Sequence, residues 1–256
     1  MRLVNVEVLF AVSLALPALA CAQTTTQPMP PNYRGVQTIV GGIFVTPIPN
    51  FPFTADVEIV SHIKLDNGSE HVVTSTNHIA RASSGRIYNE RRVLVPAGFK
   101  GTPRLLSAHI YDPSSRQNIF INPDLHLARE MTLRAPEPTP TASLPPQQQP
   151  KLPGVTETDL GTQSLSGVEL HGIRKQRTVP ADSSGTGKPV VITDDYWYSP
   201  ELAIYMTIRH DDARTGEQLV MVTNVERHEP SAETFVVPPE YKVVDETTDN
   251  SPRARQ

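Results

Sequence analysis

Apolar and polar residues alternate with a period of two along most of this chain, and that alternation restricts the fold more than any other feature. In residues 56–65, Val57, Ile59, Ser61, Ile63 and Leu65 fall on one parity and Asp56, Glu58, Val60, His62 and Lys64 on the other. Successive side chains of a strand point to opposite faces, so this pattern predicts a half-buried strand. The following "DNGSE" contains Asn67-Gly68, the pair that best adopts the positive φ angles of a two-residue hairpin turn. Residues 56–65 and 71–80 are therefore predicted to pair antiparallel. Stretches 85–95, 105–111, 117–121 and 126–133 continue the meander, with "DPSSR" and "NPDL" as turns. Four further strands are expected at 166–179, 189–199, 201–210 and 217–227. In the third of these, Leu202, Ile204, Met206 and Ile208 share one parity and Ala203, Tyr205, Thr207 and Arg209 the other. Gly216 in "DDARTG" suits a left-handed residue at a bulged turn. No long stretch has a helical period, and a single turn at 231–234 is the best helical candidate. The fold class is thus mainly β: a curved antiparallel sheet or half-barrel with little helix, spanning 34–247 as a single domain.

Proline marks where this sheet is interrupted. The 256-residue chain has 25 prolines, and seven of them fall in "APEPTPTASLPPQQQPKLPG" (135–154), too polar to bury and too proline-rich to pair. Residues 135–154 read as an insertion, 23–33 as a flexible spacer and 248–256 as a loose tail. A net charge of −4 offers no basic surface for nucleic acid.

The first 22 residues read as a signal peptide. Arg2 supplies a positive n-region, residues 8–16 an apolar core, and Pro17 is followed by small residues. The apolar run is shorter than the roughly 20 residues of a spanning helix, so the mature chain has no expected transmembrane segment. Ala20-Cys21-Ala22 fits cleavage before Gln23, which removes Cys21; alternatively Cys21 carries a lipid anchor. The protein is expected to be exported, to the periplasm or beyond, and tethered if Cys21 is kept.

No catalytic or metal-binding signature emerges. The eight histidines show no H-x-H or H-E-x-x-H spacing, and His210-Asp211-Asp212, the nearest approach to a ligand cluster, falls where a turn is predicted. There is no G-x-S-x-G elbow, and "SSGTGKP" lacks the first glycine and the Ser or Thr of a phosphate loop. Asp194 and Asp195 alternate faces, so they cannot act together on one substrate. Arg86, Arg91 and Arg92 surround Glu90, which suits ion pairing better than nucleic acid. No cofactor, metal or enzymatic activity is expected.

What does stand out is apolar surface on both parities. Val190 and Ile192 accompany Val191 and Trp197, while Leu219 and Met221 accompany Val220 and Val222. A curved sheet could use one such face to hold an acyl chain, and Trp197, Ile204, Met206, Leu219 and Met221 are the candidate ligand contacts. Tyr196 and Tyr198 would face away from Trp197.

Two resemblances bear on this reading. Trp197, Pro200 and the "F-x-x-P-x-x-Y" of Phe235, Pro238 and Tyr241 resemble the closing segment of the outer-membrane lipoprotein-sorting carrier superfamily, which implies a curved sheet with an acyl-binding concave face. The stretches "GIFVTPIPNFPFTADV", "ASSGRIYNERR" and "IYDPSSRQNIFINP" look like an uncharacterised family of exported acidobacterial proteins. The function expected is a non-enzymatic cell-envelope module that binds or carries an apolar ligand. The alternative is a structural or protein-interaction module of the envelope. Oligomeric state is left open, because edge strands can pair with another chain.

Overall fold

The computed structural model describes residues 35–65, 67–134, 154–165 and 167–247. The residues read as signal peptide, with Cys21, those read as spacer and tail, and all of the proline-rich insertion except Gly154 lie outside the described residues.

In chain order the strands are β1 (Thr38–Val40), β2 (Ile43–Val45), β3 (Phe53–Lys64), β4 (Glu70–Arg81), β5 (Ile87–Arg92), β6 (Val95–Pro96), β7 (Leu105–Asp112), β8 (Gln117–Asn122) and β9 (Leu127–Thr132). The second half supplies β10 (Val155–Leu165), β11 (Val168–Val179), β12 (Val190–Ser199), β13 (Ile204–Asp212), β14 (Gly216–Glu226) and β15 (Lys242–Asp245). Apart from the β1–β2 hairpin, all join one curved sheet that does not close into a barrel, ordered β10-β11-β12-β13-β14-β3-β4-β5-β7-β8-β9-β15, with β6 on β4. The two meanders meet where β14 pairs with β3. Among the described residues every pairing is antiparallel except β15 with β9, which makes the sheet mixed at that end.

Asn67-Gly68 does lie in the turn from β3 into β4, but of the pair only Gly68 has positive φ, 80°, and the Leu65 N–H donates to the Ser69 carbonyl, so the loop is longer than the two residues expected. The strand expected over 85–95 divides, because its chain leaves β5 at Arg92 before β6 meets β4. The helical candidate is a 3-10 turn, Ala232–Phe235, capped by Ser231, whose hydroxyl accepts from the Glu233 backbone N–H. Three features had no sequence expectation: β10, β15 and the β1–β2 hairpin. β10 is polar on both parities because it is an edge, where Glu157, Asp159 and a bulge at Gly161 discourage further pairing.

Residues opposite one another in register share a face, so two faces can be followed across the sheet. On the first, Phe53, Ala55 and Val57 of β3 lie with Val222, Ile79, Arg81 and Ile87, and the β1–β2 hairpin covers them with Val40, Ile43 and Val45. The hairpin turn sits close against the sheet: a Cβ on Gly41 would lie 2.9 Å from Ile59 Cδ1. On the second face, Ala80, Ile110 and Ile119 are covered by the C-terminal segment, which inserts Phe235 and adds Val237 and Tyr241. Both parities are therefore apolar here because both faces are covered, one by the hairpin that directly precedes β3 and the other by a C-terminal segment remote in sequence.

The β13–β14 turn is held by Asp212, which accepts from Arg214 through the backbone N–H at 2.9 Å, Nε at 2.9 Å and a terminal guanidinium nitrogen at 2.6 Å. The Arg214 guanidinium is the main cause that depresses the Asp212 carboxyl to about 2. A carboxylate depressed on folding stabilises fully above its unfolded pKa, near 3.8, and loses that contribution as pH falls toward 2. Asp212→Asn should therefore flatten the stability profile between those limits, removing about 1 kcal/mol after screening at the part-exposed Arg214. Denaturation midpoints across that range test it; unchanged acid sensitivity in the variant would count against the assignment.

Candidate functional site

The hairpin does not cover the whole first face. β1 packs across β5 and touches β7, and Asn89 Nδ2 of β5 donates to the Ile39 carbonyl at 3.0 Å, tying hairpin to sheet. Beyond β1, the face of β7 and β8 stays bare and forms the floor of a cleft of about 580 Å³, within the range of small-molecule sites. His109 and Phe120, opposite each other in register, stack there with ring centroids 4.3 Å apart and planes 9° from parallel. Val36, Ile39 and Leu133 complete the apolar wall, and Phe120 is 44% exposed although it lies inside this apolar group.

The polar groups of the cleft are few and specific. His109 Nε2 lies 2.6 Å from Asn118 Oδ1, and burial holds the imidazole pKa below its ordinary value against the opposing effect of that hydrogen bond. The ring is therefore neutral at pH 7. Asn89 is 3% exposed, and its Oδ1 accepts no hydrogen bond among the described residues. Arg91 is the one charged side chain of the lining, which contains no carboxylate among the described residues. Its neighbours differ: Arg86 pairs with Asp112 at 2.9 Å and Arg92 with Glu90 at 2.7 Å. The alternation of β5 turns Arg91 away from Glu90, toward the face it shares with Ser107.

A smaller recess of about 250 Å³ lies on the second face, between Tyr88, Tyr241, Val236 and His78. His78 Nδ1 is 3.2 Å from Asp56 Oδ1, and Asn224 donates to the other carboxylate oxygen at 2.9 Å. His210 and Asp194 make a similar contact at 2.6 Å. Both are register partners on adjacent strands, the ordinary placement of a cross-strand pair. His210, Asp211 and Asp212 belong to β13 itself and not to the turn. Among the described residues no group of three His, Cys, Asp or Glu could hold a metal. Asp194 and Asp195 do face opposite ways, the first to His210 and the second to Arg174 at 2.6 Å.

The five residues picked from the sequence as ligand contacts do not share one surface. Ile204 and Met206 are 1% and 0% exposed inside the first core. Leu219 and Met221 are half-buried on the opposite side of β14 from Val220 and Val222. The simple alternation over 201–210 fails because the register shifts between Trp197 and Tyr198, opposite Met206. That shift brings Tyr205 against Tyr198 and Tyr196, with ring centroids 5.3 and 5.6 Å apart. Burial, the larger cause, and neighbouring Tyr205 push the Tyr198 hydroxyl up to about 12.

Trp197 has a packing partner of its own. It lies opposite Gly172, where an added Cβ would meet its ring at 2.6 Å, so the indole occupies the space the glycine leaves empty. Gly172→Ala should displace the only tryptophan of the chain, shifting its emission to the red and lowering stability by about 1–3 kcal/mol. Unchanged emission and stability would show that the ring is not seated there.

The cleft residues were not singled out from the sequence. Their one legible signal is Gly41-Gly42, a residue pair that marks a hairpin turn and so predicts a short cover for the sheet.

The chain matches no family model and no curated protein. Among solved structures it is similar to an uncharacterized conserved protein from Thermus thermophilus, with TM-score 0.38 and 8% identity over 77% of this chain and 91% of that one. It is also similar to the lipoprotein LppX of Mycobacterium tuberculosis, with TM-score 0.26 and 12% identity over 69% and 88%. A LolA superfamily protein from Nitrosomonas europaea gives TM-score 0.27 and 11% identity over 74% and 91%. Likeness at this level carries nothing about ligand or activity. No helix among the described residues is long and apolar enough to cross a membrane.

Proposed function

We propose that the protein is a non-enzymatic binding or carrier module of the cell envelope for an apolar, acyl-type ligand, and that the ligand lies in the cleft beside β1. The observation that carries this reading is the open apolar floor and wall: Phe120 stacked on His109, with Val36, Ile39 and Leu133 around them, beside the part of that face that Val40, Ile43 and Val45 cover. Removing such surface from water contributes about 25 cal/mol per Å², enough to hold an alkyl chain. Export through residues 1–22 and, where Cys21 is kept, a lipid anchor belong to the same proposal; the mass of the mature N-terminus tests them.

A fluorescent fatty-acid probe tests the binding itself. The wild type should bind it, and Phe120→Asp should weaken binding at least tenfold while leaving folding intact, because Phe120 is exposed. Trp197 is separated from the cleft by β13, β14, β3 and β4 in the sheet order, so its emission should not change on binding. Failure of the wild type to bind, together with lipid-free protein from native extracts, would sink the proposal. The alternative, an envelope interaction module, draws on Ile39 and Phe44, register partners on the hairpin that are 45% and 43% exposed. It predicts a cross-linked partner and no lipid.

A further inference from the structure

We infer that the cleft selects amphiphiles with an anionic head group, Arg91 receiving the head while Phe120, Leu133, Val36 and Ile39 hold the chain; this rests on the apolar-ligand reading above. The chain as a whole carries a net charge of −4, yet no carboxylate among the described residues lines the cleft. Arg91 is exposed, and no carboxylate pairs with it among the described residues, although its neighbours Arg86 and Arg92 are both paired. A cation that alternation points away from Glu90, into a cleft that no carboxylate lines among the described residues, complements an anion.

The neutral groups around it agree. Where His109 Nε2 donates to Asn118 Oδ1, Asn118 Nδ2 keeps its protons, and it makes no hydrogen bond among the described residues. It can donate to an anionic oxygen. His109 is kept neutral by burial, so Arg91 alone supplies the charge. Carboxylate and phosphate heads share this chemistry.

Competition against the bound fatty-acid probe separates the cases, with palmitate, hexadecyl phosphate and hexadecanol as competitors at a pH where both acids are ionised. The two anions should displace the probe at concentrations about tenfold lower than the alcohol, the effect of one charge-assisted hydrogen bond. Whichever anion is the stronger identifies the head group. Arg91→Gln, at an exposed position, should abolish the difference without changing the affinity for hexadecanol. Equal displacement by all three, or an anion preference that survives Arg91→Gln, would overturn the head-group inference and leave the apolar reading intact. Absence of probe binding in the wild type would overturn both.

Discussion

Arg81→Met is expected to cost a large share of the stability of this protein. Arg81 is 0% exposed, and no carboxylate among the described residues accompanies it. Its guanidinium instead donates to three backbone carbonyls: Nε to Phe51 at 2.8 Å, one terminal nitrogen to Thr46 at 3.1 Å and the other to Leu202 at 2.6 Å. It also stacks over the Phe53 ring, 4.9 Å from the centroid. Burial pulls its pKa down to about 10, still far above neutrality, so the group is a buried cation satisfied by backbone alone. Methionine fills similar volume but leaves three buried acceptors unpaired, each worth about 1–3 kcal/mol. A loss of about 4 kcal/mol is expected, against a typical total of roughly 5–15 kcal/mol. Arg81→Lys should recover little, because one ammonium cannot reach three divergent carbonyls as a planar fork does. Denaturant titration followed by Trp197 emission measures both; a loss under about 1 kcal/mol would show that the three bonds contribute little. The carbonyls belong to the β2–β3 connection and the β12–β13 turn, so the same variant should also make the two halves of the sheet unfold less cooperatively.

The second large effect is expected at Gly216. Its φ is 111°, and a Cβ there would lie 1.8 Å from the His62 carbonyl oxygen of the adjoining strand. Backbone cannot swing aside as a flexible side chain can. Gly216→Ala must therefore open the β14–β3 pairing at its first residues, with an expected cost of at least about 3 kcal/mol. Gly68→Ala is the control: its φ is also positive, 80°, but no atom lies within 4 Å of the added methyl. That change should cost only about 1 kcal/mol, the backbone preference alone. If the two variants are equally stable, contact with His62 is not what requires the glycine.

These two positions show how unevenly the fold could be read in advance. Gly216 and Asn67-Gly68 were legible because a tight turn needs positive φ, and few residues adopt it. Arg81 was not, since nothing local distinguishes an arginine that a sheet will bury from one it will expose. β10 was missed because an edge strand need not alternate, and β15 because four residues carry too little pattern. The candidate site was less legible than the fold. Trp197 was singled out as an aromatic, yet its partner is Gly172 on the preceding strand, and a register shift opposite Met206 broke the alternation on which Ile204 and Met206 had been placed. Arg91 was noticed only as one member of a charged cluster.

The sequence by itself determined what is local: the period of two, the turns that convert it into a meander, the single helical turn near 231–234, and the alternation that sends Asp194 and Asp195 to opposite faces. Only the tertiary structure decided which apolar surface is core and which is left open. The covers are the β1–β2 hairpin, which precedes β3 but also shields the distant β4, β5 and β14, and the segment carrying Phe235, remote in sequence from β4, β7 and β8. An alternating strand has an apolar face whether or not something lies on it, because burial is a property of the assembled layers and not of the strand.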